Sequence, residues 1–298
     1  MTDITLLDGS IGQELVKRAG NRPTPLWSTS VMLERPELVR AVHGDYFASG
    51  ATVATTNTYA VHRDRLPHGN LEDKFEDLIN TALTEAEAAR DQAAGGQIAA
   101  SLGPLGASYR PDICPPPAEA ALQYAELVAL MQDRVDLFLI ETACSVAQAQ
   151  GALLGTYGTI KPVWLAVTVK DDDGTCLRSG EPVGALREII ETYQPAAILV
   201  NCSRPEAIGA ALDTIKGFGK PFGAYANGFT RISEAFLGDA PTVDALEARV
   251  DLTPDAYSDI AMSWVSQGAT IIGGCCEVGP AHIADLAMRL QADGHQIV

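Results

Sequence analysis

Short apolar runs recur along the whole chain, at 4–8, 52–57, 97–102, 137–141, 163–168, 196–202, 221–226 and 270–275. Each is bounded by glycine, proline or polar residues, the pattern of strands buried on both faces of a parallel sheet. The stretches between them carry a helical period instead. Leu71, Phe75, Leu78, Ile79 and Ala82 fall on one helix face, and Ala121, Tyr124, Ala125, Val128 and Met131 repeat the pattern. Thr253-Pro254-Asp255 has the cap, first-turn proline and first-turn acid of a helix start, and Gln194-Pro195 closes a helix before the sixth strand. Lys216-Gly217-Phe218-Gly219-Lys220 reads as a helix C-cap, its glycines lacking phosphate-loop spacing. Eight βα alternations predict an α/β fold, a (β/α)8 TIM barrel forming a single domain over 1–298, with a doubly wound sheet as the competing arrangement. Long loops after the first strand (to about Arg35), the third (103–117) and the seventh (227–252) are expected to cover the active face.

Barrel enzymes draw their catalytic groups from the C-terminal ends of strands. Here those ends read Asp8-Gly9, Thr56-Asn57-Thr58, Glu141-Thr142, Asn201-Cys202 and Gly273-Gly274-Cys275-Cys276. A cysteine closing one strand is ordinarily a small buried hydrophobe. Three of them, Cys202, Cys275 and Cys276, are a soft donor set of the kind that holds zinc with a fourth position open. Adjacent strand residues face opposite ways, so both sulfurs of the pair reach one ion only where the chain bends. Gly273-Gly274 permits such a bend and a close backbone approach. A vicinal disulfide between Cys275 and Cys276 is the remaining alternative. Cys114, Cys144 and Cys176 fall in a loop, a helix start and a hairpin and read as incidental. None of the histidines pairs with another at metal-ligand spacing.

Asp8 and Glu141 end strands on the same rim. Two carboxylates there could act as a glycosidase acid and base or hold an ammonium group, and the neighbouring thiols favour the second. Asp8 also begins a turn, where an aspartate needs no further role.

Charge and composition narrow the partners. A net charge of −17 without a basic stripe argues against nucleic acid and against anionic lipid. Six cysteines in 298 residues are too few for a disulfide scaffold. No run approaches the ~18 apolar residues of a membrane span, and no signal peptide is apparent, so a cytoplasmic, reduced-thiol protein is expected. No Gly-x-Gly-x-x-Gly follows a strand, so a Rossmann nucleotide site is not expected.

The motifs Leu7-Asp8-Gly9, Pro25-Leu26-Trp27-Ser28, Thr55-Thr56-Asn57-Thr58-Tyr59, Ser101-Leu102-Gly103-Pro104, Leu177-Arg178-Ser179-Gly180-Glu181-Pro182, Asn201-Cys202-Ser203 and Ile271-Ile272-Gly273-Gly274-Cys275-Cys276 run from end to end. In combination they resemble the zinc-dependent homocysteine S-methyltransferases, a family of (β/α)8 barrels that includes betaine- and S-methylmethionine-dependent enzymes and the homocysteine module of cobalamin methionine synthase. The resemblance implies Zn2+ on Cys202, Cys275 and Cys276. It implies that Asp8 and Glu141 hold the homocysteine amino group, with the Gly9 backbone near its carboxylate. It places Trp27, Asn57 and Tyr59 along the pocket near the donor. The implied reaction is methyl transfer from a small onium donor to homocysteine, giving methionine. S-methylmethionine or S-adenosylmethionine is preferred as donor, and betaine is possible. Another thiol or selenol acceptor, or a non-catalytic zinc- or thiol-binding barrel, are the alternatives. Two stretches depart from the family pattern: Glu277-Val278-Gly279-Pro280 stands where Gly or Arg and Thr-Thr-Pro are usual, and Tyr225-Ala226-Asn227-Gly228 replaces Tyr-Pro-Asn-Ser.

Overall fold

The computed structural model describes residues 2–20, 26–238 and 246–298. Each of the eight apolar runs forms a strand: β1 (Asp3–Leu6), β2 (Val53–Thr55), β3 (Gln97–Leu102), β4 (Leu137–Ala143), β5 (Val163–Val167), β6 (Ala197–Asn201), β7 (Phe222–Ala226) and β8 (Ile271–Gly274). They pair in parallel in the order β2-β3-β4-β5-β6-β7-β8-β1. The sheet closes where Leu7 bridges Val53, with Asp8 N donating to Val53 O at 3.0 Å and Thr52 N to Leu6 O at 2.7 Å. Closure decides for the barrel over the doubly wound sheet. A two-residue strand, β9 (Gln296–Ile297), pairs with the start of β1. It is too short to leave a periodic signal in the sequence.

The strands' alternation separates two cores. Leu137 and Leu139 of β4, Ala197 and Leu199 of β6, and Ile271 of β8 pack with Leu7, Val53, Ala99 and Tyr225 inside the barrel. Their sequence neighbours Phe138, Ile140, Ile198, Val200 and Ile272 face outward against the helices. A strand with apolar partners on both faces has no polar face to show, which is why these runs read as continuous rather than alternating.

The helices are α1 (Ile11–Arg18), α2 (Ser28–Glu34), α3 (Pro36–Ala48), α4 (Phe75–Ala93), α5 (Pro117–Met131), α6 (Val146–Thr156), α7 (Arg187–Tyr193), α8 (Pro205–Ile215), α9 (Pro254–Ser266) and α10 (Pro280–Ala292). The start of α9 is as expected, Thr253 Oγ1 accepting from Ala256 N at 3.3 Å. Gly219, past the end of α8, takes the left-handed conformation that a helix terminus favours in glycine. The stretch after the first strand is not a loop. It holds α1 and α2, because Ile11, Leu15 and Val16 recur at helical spacing and are buried against the barrel. Pro25 lies outside the described residues. Among those described, no helix is long and apolar enough to cross a membrane.

Candidate functional site

On several strands the inward column continues past its last apolar residue into a polar one at the C-terminal rim. Ser101 follows Ala99, Glu141 follows Leu139, and Asn201 follows Leu199. These tops and the loops above them surround one cavity of about 200 Å³. Asp8, Gly9, Trp27, Asn57, Tyr59, Glu141, Cys202, Cys275 and Cys276 all line it, so every residue singled out from the sequence meets in one place.

The sulfurs of Cys202, Cys275 and Cys276 lie within 4.8 Å of one another. The Cys202 and Cys275 sulfurs are in direct contact as a disulfide pair, with Cα atoms 5.8 Å apart, while Cys275 and Cys276 stand 4.0 Å apart and form no vicinal disulfide. Strands β6 and β8 flank β7, and two strand spacings would separate them by about 9.5 Å. The gap shortens because both chains turn in over the top of β7. Cys202 N donates to Tyr225 O at 3.3 Å and Cys275 N to Ala226 O at 2.9 Å.

The bend at the pair is not made by the two glycines, neither of which has a positive φ. They serve close approach instead. A Cβ on Gly273 would stand 2.5 Å from Leu7 Cβ, and one on Gly274 would stand 2.1 Å from Val278 Cγ1. Strand β8 ends at Gly274, so Cys275 and Cys276 escape strict alternation, and the turn itself falls at Glu277 with φ 62°. Gly9 is equally constrained: a Cβ there would lie 2.1 Å from the Val278 carbonyl oxygen.

Two further residues hold left-handed backbone at this rim, Thr142 (φ 61°) and Cys202 (φ 45°). For non-glycine residues such geometry persists only where surrounding structure enforces it, and it gathers at functional sites. At Thr142, Asn201 supplies the enforcement. Its Oδ1 accepts from Thr142 N at 3.0 Å and its Nδ2 donates to Thr142 Oγ1 at 3.0 Å, both buried. The clasp joins the top of β4, next to Glu141, to the top of β6, next to Cys202. Asn201→Ala breaks two buried hydrogen bonds and strands the Thr142 amide. A loss of about 2–4 kcal/mol in unfolding free energy is expected from urea melts, the midpoint falling with little change in slope.

The two carboxyl groups are buried, and among the described residues neither has an ion-pair partner. Thr55 N donates to Asp8 Oδ2 at 2.7 Å, and Thr55 Oγ1 reaches both Asp8 oxygens. Ser101 Oγ and Tyr225 OH donate to Glu141, the tyrosine at 2.9 Å. Burial raises Asp8 well above the ordinary carboxyl range, and Glu141 adds to that shift. Burial likewise raises Glu141, against the lowering effect of its two hydroxyl donors. Each acid is thus oriented by hydroxyls yet lacks the cation that would stabilise its charged form. Cys276 is half-buried, and desolvation, with the Glu277 and Glu141 charges, pushes its thiol up to about 12.

Trp27 caps α2 with φ 50°, and its indole lies over Gly12, where a Cβ would come within 2.8 Å of the ring. Asn57 is fixed by Ser28, whose Oγ donates to Asn57 Oδ1 at 2.7 Å. Tyr59 OH shares a 2.8 Å hydrogen bond with Ser108 Oγ. Thr55, Ser101, Asn201 and Tyr225 were not assigned from sequence. The two-residue period carries the signal for Thr55, Ser101 and Asn201, which stand two positions beyond the inward-facing Val53, Ala99 and Leu199, while Tyr225 itself belongs to the inner core.

Fold and rim together define a (β/α)8-barrel enzyme with a cysteine centre able to hold a metal ion. A family model for homocysteine S-methyltransferases matches residues 5–290, and the chain belongs to that family. It is 31% identical over 309 residues to the homocysteine S-methyltransferase of Escherichia coli K12, covering 96% of this chain and 95% of that protein. It is 26% identical over 318 residues to a selenocysteine methyltransferase of Astragalus bisulcatus, covering 92% and 89% of the two chains. The crystal structure of the metallated homocysteine methyltransferase MmuM from Escherichia coli superposes with a TM-score of 0.80 at 28% identity, over 97% of this chain and 96% of that one.

Proposed function

We propose that the chain, acting as one barrel domain over 1–298, transfers a methyl group from a small onium donor to homocysteine and yields methionine, with Zn2+ held by Cys202, Cys275 and Cys276. The observation that carries this reading is the meeting of three cysteine sulfurs and two carboxyl groups without an ion-pair partner, among the described residues, on one small cavity. The donor set fits the ion: three soft sulfurs lie within 4.8 Å of one another on the cavity. Metal ligation requires the reduced thiols. Zinc held by Cys202, Cys275 and Cys276 would supply the Lewis acidity that keeps an incoming thiol deprotonated.

The chain's own residues do the rest. Asp8 and Glu141 take the homocysteine ammonium, which restores their charged forms, while Ser101, Tyr225 and Thr55 hold the carboxylates in orientation. The Gly9 backbone faces the substrate carboxylate. Trp27, Asn57 and Tyr59 line the cavity, where the two aromatic rings would attract a cationic donor. The homocysteine sulfur attacks the donor's methyl carbon in line; the new carbon–sulfur bond forms as the old one breaks, and the donor leaves as a neutral thioether or amine. The cavity lies below the ~300–1,000 Å³ of clefts that enclose drug-sized ligands. That size favours S-methylmethionine or betaine over the nucleoside-bearing S-adenosylmethionine. The likeness to a selenocysteine methyltransferase keeps a selenol acceptor as a second reading.

The test is a donor panel with reduced, zinc-loaded protein. Trideuteromethyl-labelled S-methylmethionine, betaine and S-adenosylmethionine are each offered with homocysteine, and separately with selenocysteine, and products are weighed by mass spectrometry. Labelled methionine from S-methylmethionine is the expected result. No labelled product from any pairing overturns the proposal.

A further inference from the structure

We propose that Arg65 receives the carboxylate of the methyl donor, so that the site selects an amino-acid onium over a bare one; the assignment rests on the methyl-transfer reading above. Arg65 lies in the loop after β2, just before a short helical turn at Leu66–Gly69. Among the described residues it is the sole arginine or lysine lining the cavity. Its guanidinium carbon stands 5.7 Å from the centre of the Tyr59 ring, which lines the same cavity.

The placement of its donors is unusual for this protein. Arg134, Arg178, Arg249 and Arg289 each pair with at least one carboxylate. Arg65 has no carboxylate within ion-pair distance among the described residues. The adjacent acid, Asp64, accepts from Gly106 N at 2.6 Å. One Nη of Arg65 donates to the Pro104 carbonyl, and its Nε is buried without a hydrogen-bond partner. A buried N–H left unmade is costly, and a permanently charged guanidinium cannot relieve the cost by losing its proton. The second Nη is neither so covered nor bonded among the described residues, and it is the donor that a ligand oxygen can reach.

The charge of the cavity says which ligand. Asp8 and Glu141, in the charged forms that a bound ammonium restores, make that part of the cavity acidic. An onium group is drawn there, but a carboxylate on the same molecule is repelled unless a cation receives it. Arg65 offers a planar donor edge of the kind that matches a carboxylate. The aromatic wall of Tyr59 beside it suits the onium carbons of the same molecule. Homocysteine also carries a carboxylate, so the experiment must tell the two sources apart.

S-methylmethionine is compared with its decarboxylated counterpart, (3-aminopropyl)dimethylsulfonium, in the wild type, Arg65→Met and Arg65→Lys. The wild type is expected to prefer S-methylmethionine in kcat/KM. Arg65→Met should cut that preference at least tenfold, through the donor KM, with the homocysteine KM within about twofold of wild type. Arg65→Lys should retain part of the preference. An unchanged preference in Arg65→Met, or a rise confined to the homocysteine KM, overturns the assignment. Titration calorimetry of both sulfonium compounds into each protein reads the contact without turnover, and thermal melts establish that the variants fold. If no donor yields methionine, Arg65-dependent binding of the carboxylate-bearing sulfonium still supports the assignment while methyl transfer falls. Binding that ignores Arg65 sinks the assignment whatever the activity.

Discussion

Cys276→Ser should fold normally yet lose both bound zinc and methyl transfer, with turnover down on the order of 10³-fold. The substitution removes one of three sulfurs that lie within 4.8 Å of one another. Serine is close in size, but its hydroxyl is a harder donor and far less acidic than a thiol, so it does not replace the ligand. The fold should survive because Cys276 lies beyond β8, in the turn at the rim rather than in either apolar core. Without the ion an alkyl thiol with a pKa near ~8.5 is mostly protonated at neutral pH, and the incoming sulfur is a poor nucleophile. Zinc per chain by mass spectrometry and methionine formation are the two readouts. Retention of both would mean that the cysteines are structural.

Glu141→Gln should separate activity from stability. The carboxylate is held by Ser101 and Tyr225 and lines the cavity, with no ion-pair partner among the described residues. If its partner is the substrate ammonium, removing the charge forfeits a charge-assisted hydrogen bond, and kcat/KM for homocysteine should fall roughly 10- to 100-fold. Stability should move the other way. Burial raises the Glu141 carboxyl above its ordinary value. Such an acid destabilises the fold as pH climbs through the ordinary carboxyl range, and the loss is complete above the raised value. The neutral amide escapes that loss. Metal-free Glu141→Gln should therefore melt higher than the wild type at neutral pH, and the two should converge below the ordinary carboxyl range. A variant that melts lower at neutral pH, with homocysteine kinetics unchanged, would assign Glu141 to structure alone.

Both residues were legible in the sequence for a local reason: each ends an apolar run, and in a parallel barrel the ends of runs share one rim. The same logic extends to Thr55, Ser101 and Asn201, which continue inward columns at the two-residue period. Other features had no such signal. The stretch taken as a covering loop after β1 holds two helices, because the buried face of α1 is only a few residues long and falls outside any sustained period. The bend assigned to Gly273-Gly274 lies at Glu277, since a glycine in sequence marks close packing as readily as a turn. Arg65 reads in sequence as one charge among several near His62 and His68, and its lack of a carboxylate partner exists only in three dimensions.

The sequence by itself determined the repeating strand and helix units, their parallel burial and the identity of the polar groups at the strand tops, because these follow from side-chain period and solvation along a continuous chain. Only the tertiary structure decided that Cys202 and Cys275, 73 residues apart, stand with Cα atoms 5.8 Å from each other, and that Asp8 and Glu141 share one cavity with no ion-pair partner among the described residues. Those distances depend on the closing of β1 onto β2 and on two chains turning over the top of β7. They are set by packing between distant segments, to which local periodicity is blind.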